Sequence, residues 1–375
     1  MRAWDETEEV LRRQAERRAE EDAATLHDLE EHGIDLDPST RHGAGGEPVD
    51  EASVAATVAD GGLATHRHGE LEHASDHVHP HAHSVPGDKP VVGIVGAGAV
   101  GTALAIALSR AGWPVGAVAS RDSTRRERVR ELVPGVRAFA EANALVDDVE
   151  LVVLAVPDDV VEPLARSLRL YAGQAMIHTS GLLGADVLQP AMAAGTQAGA
   201  FHPLVAFADL DRALEALHGA TIAIEGDDEL AAHLAEMAEA IGGVPVRLAP
   251  GSKAAYHAAA VLAAGGLVAL LDTIREIAAG VGLDEAGVLS IYLPLLEQTV
   301  ANARTLGIDR ALTGPATRGD AGTILAHRAA IADHAPGAID VYRALLARDL
   351  VIADRRGALS PEASERLRTA LAPDP

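Results

Sequence analysis

The stretch Val91-Val-Gly-Ile-Val-Gly96-Ala-Gly98-Ala-Val-Gly101-Thr-Ala-Leu-Ala-Ile-Ala-Leu108 decides the fold. An apolar strand runs directly into G-x-G-x-x-G, and an apolar helical pattern follows at once. Gly96 permits the tight turn, Gly98 lets backbone approach a pyrophosphate, and Gly101 lets the helix pack close to the strand. The N-terminus of that helix, from Ala99 and Val100, then faces the anion. A Walker-type loop is excluded, because no G-K-S/T follows.

Reading outward, apolar runs of five to eight residues alternate with helical patterns, the βαβ rhythm of a mostly parallel sheet. Strands are expected at Val91 to Val95, Val115 to Ala119, Val136 to Ala138, Leu151 to Val156, Ala175 to His178, Gln197 to Phe201, Thr221 to Glu225 and Val244 to Leu248. After Gly251 the strand signal stops. What remains is Ala- and Leu-rich helix, broken at Gly282, Gly307, Gly314 to Pro315 and Pro336. The uncharged run Ala254 to Leu271 nears the length of a membrane span, yet its Ala, Gly and His257 content predicts a buried helix of a soluble protein.

Upstream of Pro90 the chain changes kind. Residues 1 to 89 hold 21 acidic and 8 basic residues, more than half of the net charge of −24 carried by all 375 residues. The first thirty residues suit a solvated helix. From about Gly33 to Asp88 no apolar periodicity exists to bury, which predicts disorder. Seven histidines between His66 and His83 suit either a polar linker or a loose metal buffer, and they fix no ligand geometry. The expected organisation is therefore an acidic, His-rich tail (1–89), a doubly wound Rossmann α/β domain (90–249) and an all-α substrate and dimerisation domain (250–375).

Composition removes several function classes. With 31 Lys plus Arg against 55 Asp plus Glu, the chain repels nucleic-acid backbones and anionic lipid. It contains no cysteine, so disulfides, thiolate metal sites and thiol nucleophiles are absent. No metal set is assigned in the folded part. The charged start lacks the apolar core of a signal peptide, so the expected location is cytoplasmic.

Coenzyme choice is read at the end of the second strand. An NAD site offers a carboxylate there; this chain offers Ser120 and Arg121, a hydroxyl and a guanidinium suited to the 2′-phosphate of NADP. Asp122 is the residue that would argue the other way. Leu151-Val-Val-Leu-Ala-Val-Pro157 is a central strand whose end, Ala155, Val156 and Pro157, passes along the coenzyme. Asp158 and Asp159 suit the first turn of the next helix.

Chemistry is expected in three clusters. Only two of the basic residues are lysines, Lys89 and Lys253. Lys253 follows Ser252, a plausible N-cap, which would place its amine at the positive end of a helix dipole and lower its pKa. It would then serve as a proton donor, a task arginine cannot perform. His257 lies one turn on, on the same face, with Tyr256 beside it, and is the alternative proton donor, with Lys253 then its electrostatic partner. The strand ends Met176-Ile-His-Thr-Ser-Gly181 and Ala200-Phe-His-Pro-Leu204 bring Ser180 and His202 to the sheet edge as substrate contacts, while His178 suits the core equally well. In Leu312-Thr-Gly-Pro-Ala-Thr-Arg-Gly-Asp320, a rigid turn opens a helix. Thr313, Arg318 and Asp320 would clamp a substrate carboxylate there, with Asp320 also a natural N-cap.

These motifs together resemble the NADP-dependent reductases that join a Rossmann domain to a helical dimerisation domain: pyrroline-5-carboxylate reductase, ketopantoate reductase and the β-hydroxyacid dehydrogenases. The closest resemblance is to a bacterial Rossmann-like oxidoreductase family with a C-terminal domain of unknown function. Its H-T-S-G, F-H-P-L, S-K-x-x-Y-H-A-A and L-T-G-P-x-x-R-G-D motifs appear here at His178, Phe201, Ser252 and Leu312. The resemblance implies an NADPH-dependent homodimeric reductase acting on the C=O or C=N of a small carboxylate-bearing compound, such as a 2-oxo acid or cyclic imine. β-Hydroxyacid dehydrogenases carry Asn four residues after the Lys; His257 stands there instead. The other class of reading is an NADP-binding scaffold without turnover, its His-rich tail recruiting metal or a partner.

Overall fold

The computed structural model describes residues 89–192 and 195–373. The acidic, His-rich tail, with its expected helix, disorder and metal-buffering histidines, lies outside the described residues.

All eight expected strands form one sheet, their ends moving by at most two residues: β1 Val92–Val95, β2 Val115–Ala119, β3 Arg137–Phe139, β4 Leu151–Leu154, β5 Ala175–His178, β6 Gln197–Pro203, β7 Thr221–Glu225 and β8 Val244–Arg247. Helices interleave with them: α1 Ala99–Arg110, α2 Ser123–Leu132, α3 Asp158–Ser167, the single turn α4 Gln189–Met192, α5 Leu210–Ala216 and α6 Asp228–Ala240. Strand order is β3-β2-β1-β4-β5-β6-β7-β8. Pairing is parallel throughout except between β6 and β7. Order reverses between β1 and β4, and in a doubly wound sheet the crevice for a ligand opens at the carboxyl ends of those strands.

Two apolar layers hold the sheet. One packs α1 and α6 onto Val92, Ile94, Val118, Ile177, Phe201 and Ile222; the other buries Val95, Leu145, Val152, Leu154, Met176 and Leu188 on the opposite face. β1, β4 and β5 are buried along their whole length. That explains their unbroken apolar runs, since a central parallel strand meets helices on both faces.

Beyond the sheet every described element is helical: α7 Lys253–Ala279, α8 Glu285–Leu306, the short α9 Ile308–Ala311 and α10 Pro315–Arg318, α11 Ala321–His334, α12 Ile339–Arg355 and α13 Pro361–Leu371. Breaks fall at or near the expected glycines and prolines, with two more at Gly319 to Asp320 and at Arg356 to Ser360. Ile324, Leu350, Leu367, Ala370 and Leu371 make a small core for the last helices. Burial corrects one expectation. Within α7 only Lys253 and Ala278 are buried, while Leu262 is 73% and Val268 65% exposed. It is one described helix long and apolar enough to cross a membrane by length and composition. α8 is equally bare, presenting Ile291, Leu295 and Val300 to solvent. The sequence shows that these helices are apolar; it does not show that so little of their own chain covers them.

Candidate active site

The glycine loop has the geometry its spacing implies. Gly96 sits at φ 108°, and a Cβ there would lie 2.1 Å from the Ala155 carbonyl; at Gly101 it would lie 1.9 Å from the Gly96 carbonyl. At Gly98 a Cβ would meet nothing within 4 Å. Two glycines are therefore needed by the protein's own packing, and the third faces open space. Gly98 is also the N-cap of α1 without a side chain to cap it, so the first N–H groups of the helix, at Ala99, Val100 and Gly101, stay available to an anion. A cleft of about 660 Å³ opens there, lined by Gly98, Ala99, Thr102, Arg125, Arg128 and Asp209. Ala155, Val156 and Pro157 follow β4, and Ala155 and Val156 lie against Gly96.

Ser120 and Arg121 follow β2 at the same edge, and Arg121 is exposed. Asp122 is already engaged: its carboxylate caps α2 by accepting from Arg125 N at 3.1 Å and lies 3.3 Å from Arg125 Nε. It acts as a helix cap, while Arg125 and Arg128 of α2 add positive charge to the cleft. Asp158 and Asp159 occupy the first turn of α3, as expected.

Along the edge, after β5, a second set of groups converges. Lys253 is 2% exposed, and its Nζ donates to the Ser180 carbonyl at 2.6 Å, a contact spanning 73 residues of sequence. Burial lowers its pKa from 10.5 to about 8, against the opposing pull of the Glu225 and Asp158 carboxylates. The expected direction holds, but the principal cause is desolvation rather than the helix end. Ser252 sits at the N-cap position without capping; its hydroxyl donates to the Ala249 carbonyl at 2.6 Å. Ser180 shapes its own loop, Oγ accepting from Leu182 N at 3.1 Å and Leu183 N at 3.0 Å.

Around Lys253 stand rings that keep their lone pairs. His202 Nδ1 lies 3.1 Å from the Thr179 carbonyl, so Nδ1 carries the proton and Nε2 is a bare acceptor. His202 packs edge-on to His257 and Tyr256, with ring centroids 5.5 and 6.4 Å away. Burial lowers the His202 pKa and raises that of Tyr256. His202 Nε2, His257 Nδ1 and the Tyr256 hydroxyl are buried and make no hydrogen bond within the protein. Buried polar atoms left over at one place are what a polar ligand or ordered water satisfies. Gly181 makes room for them, since a Cβ there would lie 2.2 Å from His257 Nδ1.

His178 belongs to the core. It is fully buried, Nε2 donates to the Gly184 carbonyl at 3.1 Å, and burial lowers its pKa to about 4. The unfolded chain takes up a proton near pH 6.5 that the buried ring refuses until about 4. Stability is therefore unaffected above 6.5 and falls as pH drops from 6.5 towards 4. Denaturant melts across that range should show the loss shrink in His178→Gln.

The third cluster lies elsewhere in the chain. Asp320 caps α11, accepting from Thr323 N at 3.0 Å and Thr323 Oγ1 at 2.6 Å. A Cβ on the neighbouring Gly319 would meet Ala363 of α13 at 3.1 Å. Thr313 and Arg318 are exposed on this C-terminal bundle. The bundle meets α7 at its far end, where His334 lies against Gly280 and Glu276 against Gly337, about 40 Å along the helix from Lys253. Within one chain the expected carboxylate clamp is thus not brought to the amine. Glu225, near Lys253, went unnoticed in the sequence; its signal is an acid closing the apolar strand Thr-Ile-Ala-Ile-Glu225.

A glycine crevice at the turning point of a doubly wound sheet, followed by a helical C-terminal region, defines an α/β protein with a Rossmann-like architecture. Comparison gives the particulars. Residues 79–203 match a Rossmann-like domain and residues 220–348 match a domain of unknown function, DUF2520; the chain carries the one followed by the other. Among solved structures it is similar to protein TM1727 from Thermotoga maritima, at 25% identity and TM-score 0.58 over 70% of this chain and 100% of that one. A Bacteroides fragilis protein assigned as an NADP oxidoreductase gives 23% identity and TM-score 0.58 over 70% and 98%. A reductive aminase from Aspergillus terreus, in complex with NADPH and ethyl-5-oxohexanoate, gives 19% identity and TM-score 0.55 over 75% and 99%. No curated protein matches the sequence. The fold is therefore one that NADP-linked oxidoreductases use.

Proposed function

We propose that the protein is an NADPH-dependent reductase that transfers hydride to the C=O or C=N carbon of a small carboxylate-bearing substrate, a 2-oxo acid or a cyclic imine. The observation that carries this reading is a buried amine of lowered proton affinity, two strands along the sheet edge from an open phosphate loop. The residues present suit the coenzyme: Gly96, Gly98, Ala99, Val100 and Gly101 would hold its bridging phosphates. Ser120 and Arg121, with Arg125 and Arg128, would hold the ribose phosphate, and Ala155, Val156 and Pro157 would line the nicotinamide side. When bound, NADPH supplies the hydride.

The chain supplies the proton. Lys253 delivers it from Nζ to the substrate oxygen or nitrogen as the double bond is reduced, and is reprotonated from solvent, with His257 as the adjacent relay. Nε2 of His202 and the loop around Ser180 orient the substrate. Mixing the protein with NADPH and a panel of 2-oxo acids and cyclic imines should give oxidation of the coenzyme with at least one of them. Coenzyme binding without turnover across that panel would remove the assignment.

A second copy of the chain completes this reading. α7 and α8 expose Val261, Leu262, Val268, Ile291 and Leu295 on neighbouring helices, an apolar surface of the kind that marks an interface. α7 also carries Asp272, Arg275 and Glu276 in its last turns, which suits a protein interface better than lipid. In a homodimer packed through these helices, the Thr313 to Asp320 turn of one copy would reach the Lys253 end of the other and provide the carboxylate clamp. Leu262→Asp with Val268→Asp should convert a dimer to monomer in light scattering and abolish turnover while leaving NADPH binding in place.

A further inference from the structure

Glu225, at the end of β7, is 7% exposed in a strand that is otherwise apolar. It lies on one rung of the sheet with His178 and Ala200: His178 pairs with Ala200, and Ala200 with Glu225. Residues in register on neighbouring strands share a face, so His178 and Glu225 flank the small Ala200 on the same side, about 10 Å apart at the usual strand spacing. The segment after β5 folds back over that gap and is held from both sides at consecutive residues. His178 Nε2 donates to the Gly184 carbonyl at 3.1 Å, and Ala185 N donates to Glu225 Oε2 at 2.8 Å. The start of the same segment carries the Ser180 carbonyl that receives the Lys253 ammonium.

Glu225 Oε1 is buried and makes no hydrogen bond within the protein. Half of a buried carboxylate is therefore left without a donor, a costly arrangement unless a nearby positive charge offsets it. On the inner side that charge is Lys253. Arg247, the guanidinium nearest in the strand pairing, is exposed and is held by Asp228 at 2.7 Å and the Gly226 carbonyl at 3.1 Å.

We propose that Glu225 is a positioning residue of the Lys253 site: its carboxylate anchors the 180–185 loop through Ala185 and supplies buried negative charge to the ammonium that this loop receives. The proposal deepens the reductase reading and rests on it for its catalytic consequence, though not for its structural one. The charged and titratable groups facing Lys253 are Glu225 from β7, Asp158 from α3, His178 from β5, His202 from β6, and Tyr256 and His257 from its own helix. Of these, Glu225 and Asp158 pull its proton affinity up, opposing burial. Glu225 is the one that also fixes the loop.

Two variants separate anchor from charge. Glu225→Gln keeps an oxygen for Ala185 N but removes the charge; Glu225→Asp keeps the charge but draws it back from Ala185. The chain has only two lysines, so the full-length protein labelled with 13C-lysine gives two side-chain signals, the Lys89 one assigned with Lys89→Arg. Lys253 should titrate lower by roughly one pH unit in the Gln variant and close to its original midpoint in the Asp variant. Ala185 amide exchange should accelerate in the Asp variant and not in the Gln variant. An unmoved Lys253 midpoint in Glu225→Gln, in protein whose melt shows it folded, overturns the proposal. So does unchanged Ala185 exchange in Glu225→Asp. Both readouts need neither coenzyme nor substrate, so a silent reductase assay leaves them standing and condemns only the reductase reading. With an active substrate, the high-pH limb of kcat/KM moves to lower pH in the Gln variant, which loss of packing alone would not produce.

Discussion

Lys253→Ala is expected to lower the rate of NADPH-dependent reduction by about 10²- to 10⁴-fold, the usual contribution of a positioned general acid, while leaving coenzyme affinity within a small factor. Lys253→Arg should be nearly as slow, because a guanidinium holds its proton too firmly to give it up. In the wild-type protein kcat/KM for reduction should be flat in the neutral range and fall as pH rises through about 8, where the amine loses the proton it must donate. The same amine leaves a mark on stability. Its pKa is about 8 in the folded chain against 10.5 unfolded, so below pH 8 both states hold the proton and the folded state bears the full cost of burying it. Between about 8 and 10.5 that cost fades, because only the unfolded chain remains protonated. Relative to Lys253→Met, the wild-type protein should therefore gain stability across that window, by about 3 kcal/mol at most. Melts at pH 7.5 and 10 read this directly. A flat difference would mean that the side chain is not buried as a charge, and turnover surviving in Lys253→Ala would remove it as the acid. A buried ammonium whose only hydrogen-bond acceptor among the described residues is a backbone carbonyl is poor design for stability alone, which is why it points to chemistry.

What the sequence carries and what it withholds divide along physical lines. Central parallel strands are buried on both faces, so β1, β4 and β5 stand out as unbroken aliphatic runs. Gly282, Gly307 and Pro336 end helices through backbone conformation, a local property. The phosphate loop is local in part: Gly101 answers to the Gly96 carbonyl within the same turn and Gly96 to its own positive φ, while the carbonyl that Gly96 clears, that of Ala155, comes from the end of β4. Lys253 could be singled out because it is almost the only lysine, but its partner Ser180 lies 73 residues away, and no periodicity announces that pairing. Glu225 was hidden for a related reason. A strand reading assigns Thr221–Glu225 by its apolar pattern and treats the terminal acid as a boundary. Its value becomes visible only when the antiparallel β6–β7 pairing sets it level with His178. The Thr313 to Asp320 turn shows the opposite failure. Its residues read correctly as a cap and a rigid turn, but nothing in their spacing shows that the bundle holding them meets α7 at the end of that helix remote from the amine, about 40 Å along its axis. Exposure along α7 is likewise a property of the whole assembly rather than of an 18-residue apolar window.

The glycine loop allows a prediction in which stability and binding move independently. Gly98 has φ −78° and ψ −170°, an extended conformation open to any residue, and among the described residues nothing beyond its own stretch of chain lies within 4 Å of where its Cβ would stand. Gly98→Asp should therefore fold normally. As the N-cap of α1 it acquires a side chain that accepts from the first turn and places negative charge at the positive end of the helix, so the coenzyme-free protein should melt at the same temperature or slightly higher. The same carboxylate would occupy the space into which the bridging phosphates must come, and like charges at close range repel strongly away from bulk water. Calorimetry should show NADPH affinity reduced by about 100-fold or more, the cost of two to three kcal/mol that one misplaced charge readily imposes. Gly101→Ala provides the contrast: its methyl would meet the Gly96 carbonyl at 1.9 Å, so it should lower the melting temperature before any coenzyme is added. If Gly98→Asp still binds NADPH as the unmodified chain does, the crevice at the β1–β4 reversal is not the coenzyme site, and the fold's resemblance to NADP-linked oxidoreductases would describe its architecture alone.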